Sequence, residues 1–261
     1  MTPVTAAEAG FHYDHAMGTN STLLSSQTIS EIASRSLAAV RVFERLGIDY
    51  CCGGKRPVEE VCQEHGLDST AVLQELDVAL TNRPADETDW NKATLRDLIR
   101  HIVGKHHEYL KLELPRLAQR LDKVMRVYGE QDKATLGPIP RLFQDLRSEM
   151  ELHMHKEEMI LFPFMERVEA EVLSGRPAPP APFGSVKNPI AMMEHEHDSA
   201  GAALRGMRES TKDYAVPEYA CVTYRSLLEG LREMEQDLHI HIHLENNILF
   251  PRALAMEMEN Q

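Results

Sequence analysis

Cysteine is scarce in this 261-residue chain: four residues, two of them adjacent, cannot build a disulfide framework at this length, which points to a reducing compartment. Positive charge is scarce too. Lys and Arg number 28 against 41 Asp and Glu, a net charge of −13, so no basic surface is offered to nucleic acid or to an anionic membrane. Apolar runs stay well short of the roughly 18 residues a membrane span needs. Residues 1–26 lack the basic start and apolar core of a leader, so the expectation is a cytoplasmic chain with no membrane and no nucleic-acid partner. No segment keeps a period-two alternation long enough for a sheet. What is abundant is 43% hydrophobic residues, enough for a sizeable core, together with 13 histidines and 13 methionines in an aromatic-poor background. The histidines are where function is to be sought.

Residues 1–26 read as a loose tail, with His12 and His15 as its decoration. From Ile29 the apolar positions Ile32, Ala33, Leu37, Val40 and Phe43 recur at helical spacing up to Gly47, which predicts one helix. Pro57 opens a second short helix closed by Gly66, and Asp68 or Ser69 caps a third to about Leu80. Residues 27–82 thus form a small helical module, and the polar stretch 83–93 is a linker. Thr94-Leu-Arg-Asp97 has the form of a capping box and starts a long helix to about Tyr128. Gly137-Pro138 breaks the chain before a second long helix to about Leu173. The Pro-rich loop 174–189 precedes helices at about 190–212 and 217–258. The predicted fold is all-α, a small module followed by a four-helix bundle over 94–258.

An internal echo runs through that bundle. His153-Met-His155-Lys-Glu157-Glu-Met-Ile-Leu-Phe-Pro163 matches His241-Ile-His243-Leu-Glu245-Asn-Asn-Ile-Leu-Phe-Pro251 at a spacing of 88 residues. Upstream, His107-Glu108 and His197-Asp198 stand 90 residues apart, so the region is a duplicated helix pair. A bundle core repeats at alternating steps of three and four. On that phase each helix presents one seam histidine: His107, His153, His197 and His241. Glu157 and Glu245 follow two of them at i+4, the same face one turn on.

A lone histidine on an apolar stripe is more often a hydrogen-bonded core residue than a ligand. Four in phase, with two glutamates, are a different matter. Burying them uncompensated would cost several kcal/mol each. A pair of cations compensates, and mixed nitrogen and oxygen donors on facing helices suit dinuclear iron or manganese better than zinc. His106 adjoins a seam position and is an additional candidate. His155, His195, His239 and His243 are out of phase and expected on helix flanks. Glu158, Glu196 and Asp198 are either orienting partners of the imidazoles or solvated surface acids. Cys62 and Cys221 read as small buried apolar residues.

With these residues in view, the bundle resembles the hemerythrin-like domain. The strings Asp49-Tyr50-Cys51-Cys52-Gly53-Gly54 and HLENNILFPRAL (243–254) extend the likeness over 29–258 to the di-iron proteins for repair of iron centres, the YtfE/ScdA type. The resemblance implies two non-haem iron ions held by His107, His153, Glu157, His197, His241 and Glu245, the two glutamates bridging. It implies iron donation to iron-sulfur proteins damaged by nitric oxide or oxidative stress, with nitric oxide or oxygen as small ligand, and a homodimer. Two alternatives use the same ligands: nitric oxide reductase or peroxidase chemistry, and an oxygen- or redox-sensing module. Oxygen-carrying hemerythrins typically have a second histidine four residues along the third helix. Here that position is Gly201, which leaves an open coordination position. Leu37 stands where the family commonly has proline. Cys51 and Cys52, before two glycines and beside Lys55 and Arg56, are candidates for a redox or iron-handling role through lowered thiol pKa values. The alternative is that they form a tight structural turn.

Overall fold

The computed structural model describes residues 24, 26–82 and 87–259, so His12 and His15 lie outside the described residues. Among the described residues the only β pairing is an isolated bridge between Thr28 and Pro57, and the expected all-α fold is the one observed. The first segment, α1 (Ile29–Ala33), opens on a reciprocal cap in which Thr28 and Glu31 satisfy each other's backbone N–H. The single helix expected from Ile29 to Gly47 is in fact two. Ser36 adopts an extended backbone and accepts from the Ala38 N–H, which starts α2 (Leu37–Arg45) afresh. Leu37 is therefore the first residue of a helix, the position at which proline is tolerated. Helices α3 (Val58–Glu64) and α4 (Ser69–Thr81) follow, the latter capped by Asp68.

Four rods make the bundle. The first is α5 (Leu95–His101), a π-helical stretch Ile102–His107 and α6 (Glu108–Tyr128). After the short α7 (Lys133–Leu136), the second rod is α8 (Ile139–Lys156), a π stretch Glu157–Leu161 and α9 (Phe162–Leu173). The third is α10 (Lys187–Ser210). The fourth is α11 (Val222–Leu244), a π stretch Glu245–Leu249 and α12 (Phe250–Glu259). In the second and fourth rods a Phe-Pro pair follows the widened turn directly. Proline has no N–H, and its ring crowds the carbonyl four residues back, so a wider turn before Pro163 and Pro251 relieves both problems.

The widened turns also shift helix phase. The steady three-four seam predicts Ile160 inward, but Ile160 is 53% exposed and Leu161 takes the interior position at 2%. Rods one and four pack along each other, as do rods two and three. Two apolar clusters result: one of Leu110, Leu114, Met150, Leu204, Leu231, Leu238 and neighbours, the other of Leu98, Ile102, Phe162, Ile190, Met193, Phe250 and neighbours. The seam histidines lie between these two plugs. The N-terminal module has its own core, into which Ile242 of α11 inserts from the bundle.

Thr94 caps α5 as expected, accepting from the Asp97 N–H. The stronger cap comes from outside the helix. Buried Glu169 of α9 accepts from Leu95 N–H at 2.6 Å and Arg96 N–H at 3.0 Å, pinning the first rod to the second. Glu169→Ala should destabilise the chain by about 1–3 kcal/mol, read as a lower denaturation midpoint at unchanged m-value.

Candidate metal centre

His107 and His153, on rods one and two, and His197 and His241, on rods three and four, have no solvent exposure, nor do Glu157 and Glu245. Their donor atoms converge as two overlapping tetrads: His107, Glu157, His241 and Glu245, and His153, Glu157, His197 and Glu245, each with all ligand atoms within 4.8 Å of one another. The residues chosen by helix phase are thus brought together, and both glutamates belong to both groups. Glu157 and Glu245 sit at the first residue of their π stretches, where the widened turn carries the carboxylate into the bundle axis.

The unbound geometry is frustrated in a way that a cation resolves. His107 Nε2 lies 3.1 Å from His241 Nε2, and His153 Nε2 lies 3.0 Å from His197 Nε2. Three of these rings have their other nitrogen engaged by an acceptor: His107 Nδ1 with Glu158 at 2.8 Å, His153 Nδ1 with Glu196 at 2.9 Å, and His197 Nδ1 with the Asn246 side-chain oxygen at 2.8 Å. Those partners hold a proton on Nδ1 and turn Nε2 inward, where a cation would take the place of any proton it carries. Both oxygens of Glu157 and one of Glu245 are buried without any hydrogen-bond donor. Orphaned carboxylate oxygens beside convergent imidazole Nε2 atoms are the donor set that a hard-to-borderline divalent cation takes.

The electrostatics agree. Burial works against charge on His107, yet the nearby carboxylates of Glu157 and Glu245 outweigh it and push its pKa up to about 10. Burial likewise opposes charge on His153, but Glu157, Glu245 and Glu196 push it up to about 9. Glu245, despite its burial, is held well below the usual carboxylate range by His241, His107 and His197. The pocket demands positive charge at its centre.

Around the six residues, the expectations divide. Glu158 and Glu196 orient imidazoles rather than lying free in solvent, and each is steadied by a lysine, Lys111 and Lys156 respectively. Asp198, His155 and His195 are exposed. His243 is not on a solvated flank: it is buried against the N-terminal module, with its ring 5.5 Å from that of Tyr50 and its Nδ1 on Asn247. His106 is fully buried but stands outside both tetrads, bonded to Asp237 at 2.9 Å and stacked on His241. Asn246 was missed. The echo could have found it, since 88 residues back stands Glu158, which does for His107 what Asn246 does for His197.

Beside Gly201 lies the Cys52 thiol, 3.8 Å from where a β-carbon would stand, with the Arg205 guanidinium at 3.6 Å. Cys51 is buried and Cys52 partly so. The expected acidification by Lys55 and Arg56 does not occur at Cys51. Lys55 pairs with Glu194, and Arg56 with Glu60 and Glu64, while the Cys52 contact, burial and Asp49 push the Cys51 thiol well above its ordinary value. Cys62 is buried as expected, but Cys221 is exposed, because it precedes the first residue of α11 at the bundle's outer end.

Comparison with known proteins adds the family. Residues 25–80 match a domain of unknown function (DUF542, ScdA_N), and residues 98–253 match the hemerythrin HHE cation-binding domain. Over 231 residues the chain is 35% identical to the iron-sulfur cluster repair protein YtfE of Dickeya chrysanthemi, covering 88% of this chain and 98% of that one. The chain belongs to this family. The YtfE proteins of Yersinia pseudotuberculosis and Citrobacter koseri are each 36% identical over the same extent, 88% of this chain and 98% of theirs. In this YtfE-family chain the buried His/Glu clusters of the hemerythrin-like bundle are accordingly a metal site.

The raised histidines set a sign for pH dependence. With metal stripped, His107 and His153 are charged in the fold at pH values where the unfolded chain's histidines, near pKa 6.5, are not. That contribution is complete below about pH 6.5 and fades as pH rises through about 9 to 10. Chelator-treated protein should therefore lose stability on going from pH 6.5 to 10, followed by urea denaturation. The metal-loaded protein should show the opposite weakness, losing metal as pH falls and protons compete for the imidazoles.

Proposed function

We propose that this protein repairs iron-sulfur clusters damaged by nitric oxide or oxidative stress, holding two iron ions at the bundle centre and donating iron to its clients. One observation carries the reading: two buried tetrads that share Glu157 and Glu245, in a chain spanning 98% of a repair relative. His107 and His241 would hold one ion, His153 and His197 the other, with the two carboxylates bridging. Bound there, the iron pair would supply ferrous-ferric redox chemistry and a place for nitric oxide or oxygen. The chain's own residues do the rest. Glu158, Glu196 and Asn246 fix three imidazoles with Nε2 inward, and the apolar plugs on either side keep bulk water out. Donation requires one ion to be labile, so at least one of Glu157 and Glu245 must be able to shift. Cys51 and Cys52, at the edge of the centre, belong to the iron-handling machinery in this reading.

The division into a tail (1–26), a Cys-Cys-Gly-Gly module (27–82), a linker (83–93) and the di-iron bundle (94–258) is part of the same proposal. So are a cytoplasmic location, damaged iron-sulfur proteins as clients, and a homodimer. No helix among the described residues is long and apolar enough to cross a membrane. Gly201 favours a second reading at the same centre, reduction of nitric oxide, because it offers no donor four residues after His197 and so leaves a coordination position for a small ligand. Multiple-turnover nitrous oxide production supports that reading, and strictly stoichiometric consumption of nitric oxide opposes it.

Glu157→Leu or Glu245→Leu should lower bound iron from about two per chain and abolish reactivation of a nitric-oxide-inactivated iron-sulfur enzyme. Full reactivation by either variant with its site empty contradicts the proposal.

A further inference from the structure

We propose that Asp49, Cys51 and Cys52 form a second, outer cation site that receives ferrous iron on its way between the buried centre and the surface. The proposal deepens the repair reading and rests on it. The three residues offer one carboxylate oxygen and two sulfurs within 4.8 Å of one another. Cys51 Sγ and Cys52 Sγ are 3.7 Å apart, and Cys51 Sγ is 3.4 Å from Asp49 Oδ1. Two thiolates sharing one tetrahedral ion at bonds of about 2.3 Å stand about 3.8 Å apart, so the sulfurs are already at chelating separation. Their mixed hard and soft character suits ferrous iron. The turn is preformed, because the Asp49 carboxylate accepts the backbone N–H groups of Cys51 and Cys52, each at 3.0 Å.

Position makes this a relay rather than an isolated chelator. Cys52 Sγ lies 3.8 Å from the carbonyl oxygen of His197 and the same distance from the β-carbon position of Gly201. It occupies the side of the centre where the third rod has no second ligand. Asn246 joins the two sites directly: its oxygen orients the His197 ring at 2.8 Å, and its amide nitrogen donates to the Cys51 carbonyl at 3.3 Å. On the outer side, Asp49 and Cys51 line a cleft of about 360 Å³ between the module and the bundle, with Arg205, Arg208 and Arg232 among its bundle-side residues. An ion leaving past His197 thus meets two sulfurs and a carboxylate before solvent. On binding, the two thiol protons pass to water and no electron changes hands.

The test fills the buried centre of the full chain with iron anaerobically, then adds cobalt(II) and follows thiolate-to-metal charge-transfer absorption with total metal per chain. One further cobalt with a thiolate band is expected, lost in Cys51→Ala and Cys52→Ala. Asp49→Asn keeps an amide-accepting oxygen in the turn and should weaken cobalt binding about tenfold or more. Iron content and melting temperature of each variant report whether centre and fold persist. Should Cys51→Ala fail to fold, the unsubstituted chain still decides: cobalt should protect Cys52 from iodoacetamide, and equal labelling with and without cobalt overturns the site. A full iron centre with no thiolate band, or a band that survives Cys52→Ala, also overturns it. A thiolate band in a chain whose centre takes up no iron upholds the outer cation site and overturns the repair reading.

Discussion

Two carboxylates buried without any solvent exposure, surrounded by four equally buried imidazoles, impose the constraint that organises this molecule. An ionised carboxylate moved from water to a protein interior costs several kcal/mol even after relaxation, and three of the four oxygens concerned have no hydrogen-bond donor. The surroundings are arranged to hold that cost in place rather than relieve it. Apolar plugs close the bundle on both sides of the cluster, and the outer acids Glu158 and Glu196 approach His107 and His153 from behind. Protonated histidines relieve part of the strain, as the elevated pKa values of His107 and His153 express. A pair of divalent cations relieves all of it, and this is why the proposed centre is dinuclear.

The duplication explains the centre's near symmetry and its departures. Glu158 and Asn246, equivalent in the two copies, orient His107 and His197 in the same way, one charged and one neutral. Glu196 orients His153, but 90 residues earlier the equivalent position is His106, which stacks on His241 and gives no acceptor to the His241 Nδ1. One half is therefore held by acids and lysines, the other by stacking and by the N-terminal module. The module docks on the second copy through Ile242, His243, Asn246 and Asn247. The matching positions of the first copy include exposed His155 and Met159. Divergence between the copies is what places two thiols at one side of an otherwise two-fold site.

The bundle and the six central residues were legible because period and spacing are local properties of the sequence. His153 with Glu157, and His241 with Glu245, need only one turn of helix to align. What periodicity missed has physical causes. The π stretches add a fraction of a turn, so Ile160 and Leu161 exchange roles, and only the Phe-Pro pairs hint at this. Ser36 splits the first helix by a cap that hydrophobic spacing alone does not reveal. His243 and the pairing of Lys55 and Arg56 depend on how the module lies against α11, a long-range contact that no local pattern encodes. Cys221 reads as apolar by type, but its exposure follows from its place ahead of a helix end.

The proposed centre rests on two cations sharing Glu157 and Glu245, and anomalous diffraction at the iron edge from crystals grown anaerobically with ferrous iron tests it most directly. Two peaks about 3.5–4 Å apart are expected, one between His107 and His241 and one between His153 and His197, with both carboxylates reaching both peaks. A single peak, or iron bound away from the glutamates, would contradict it.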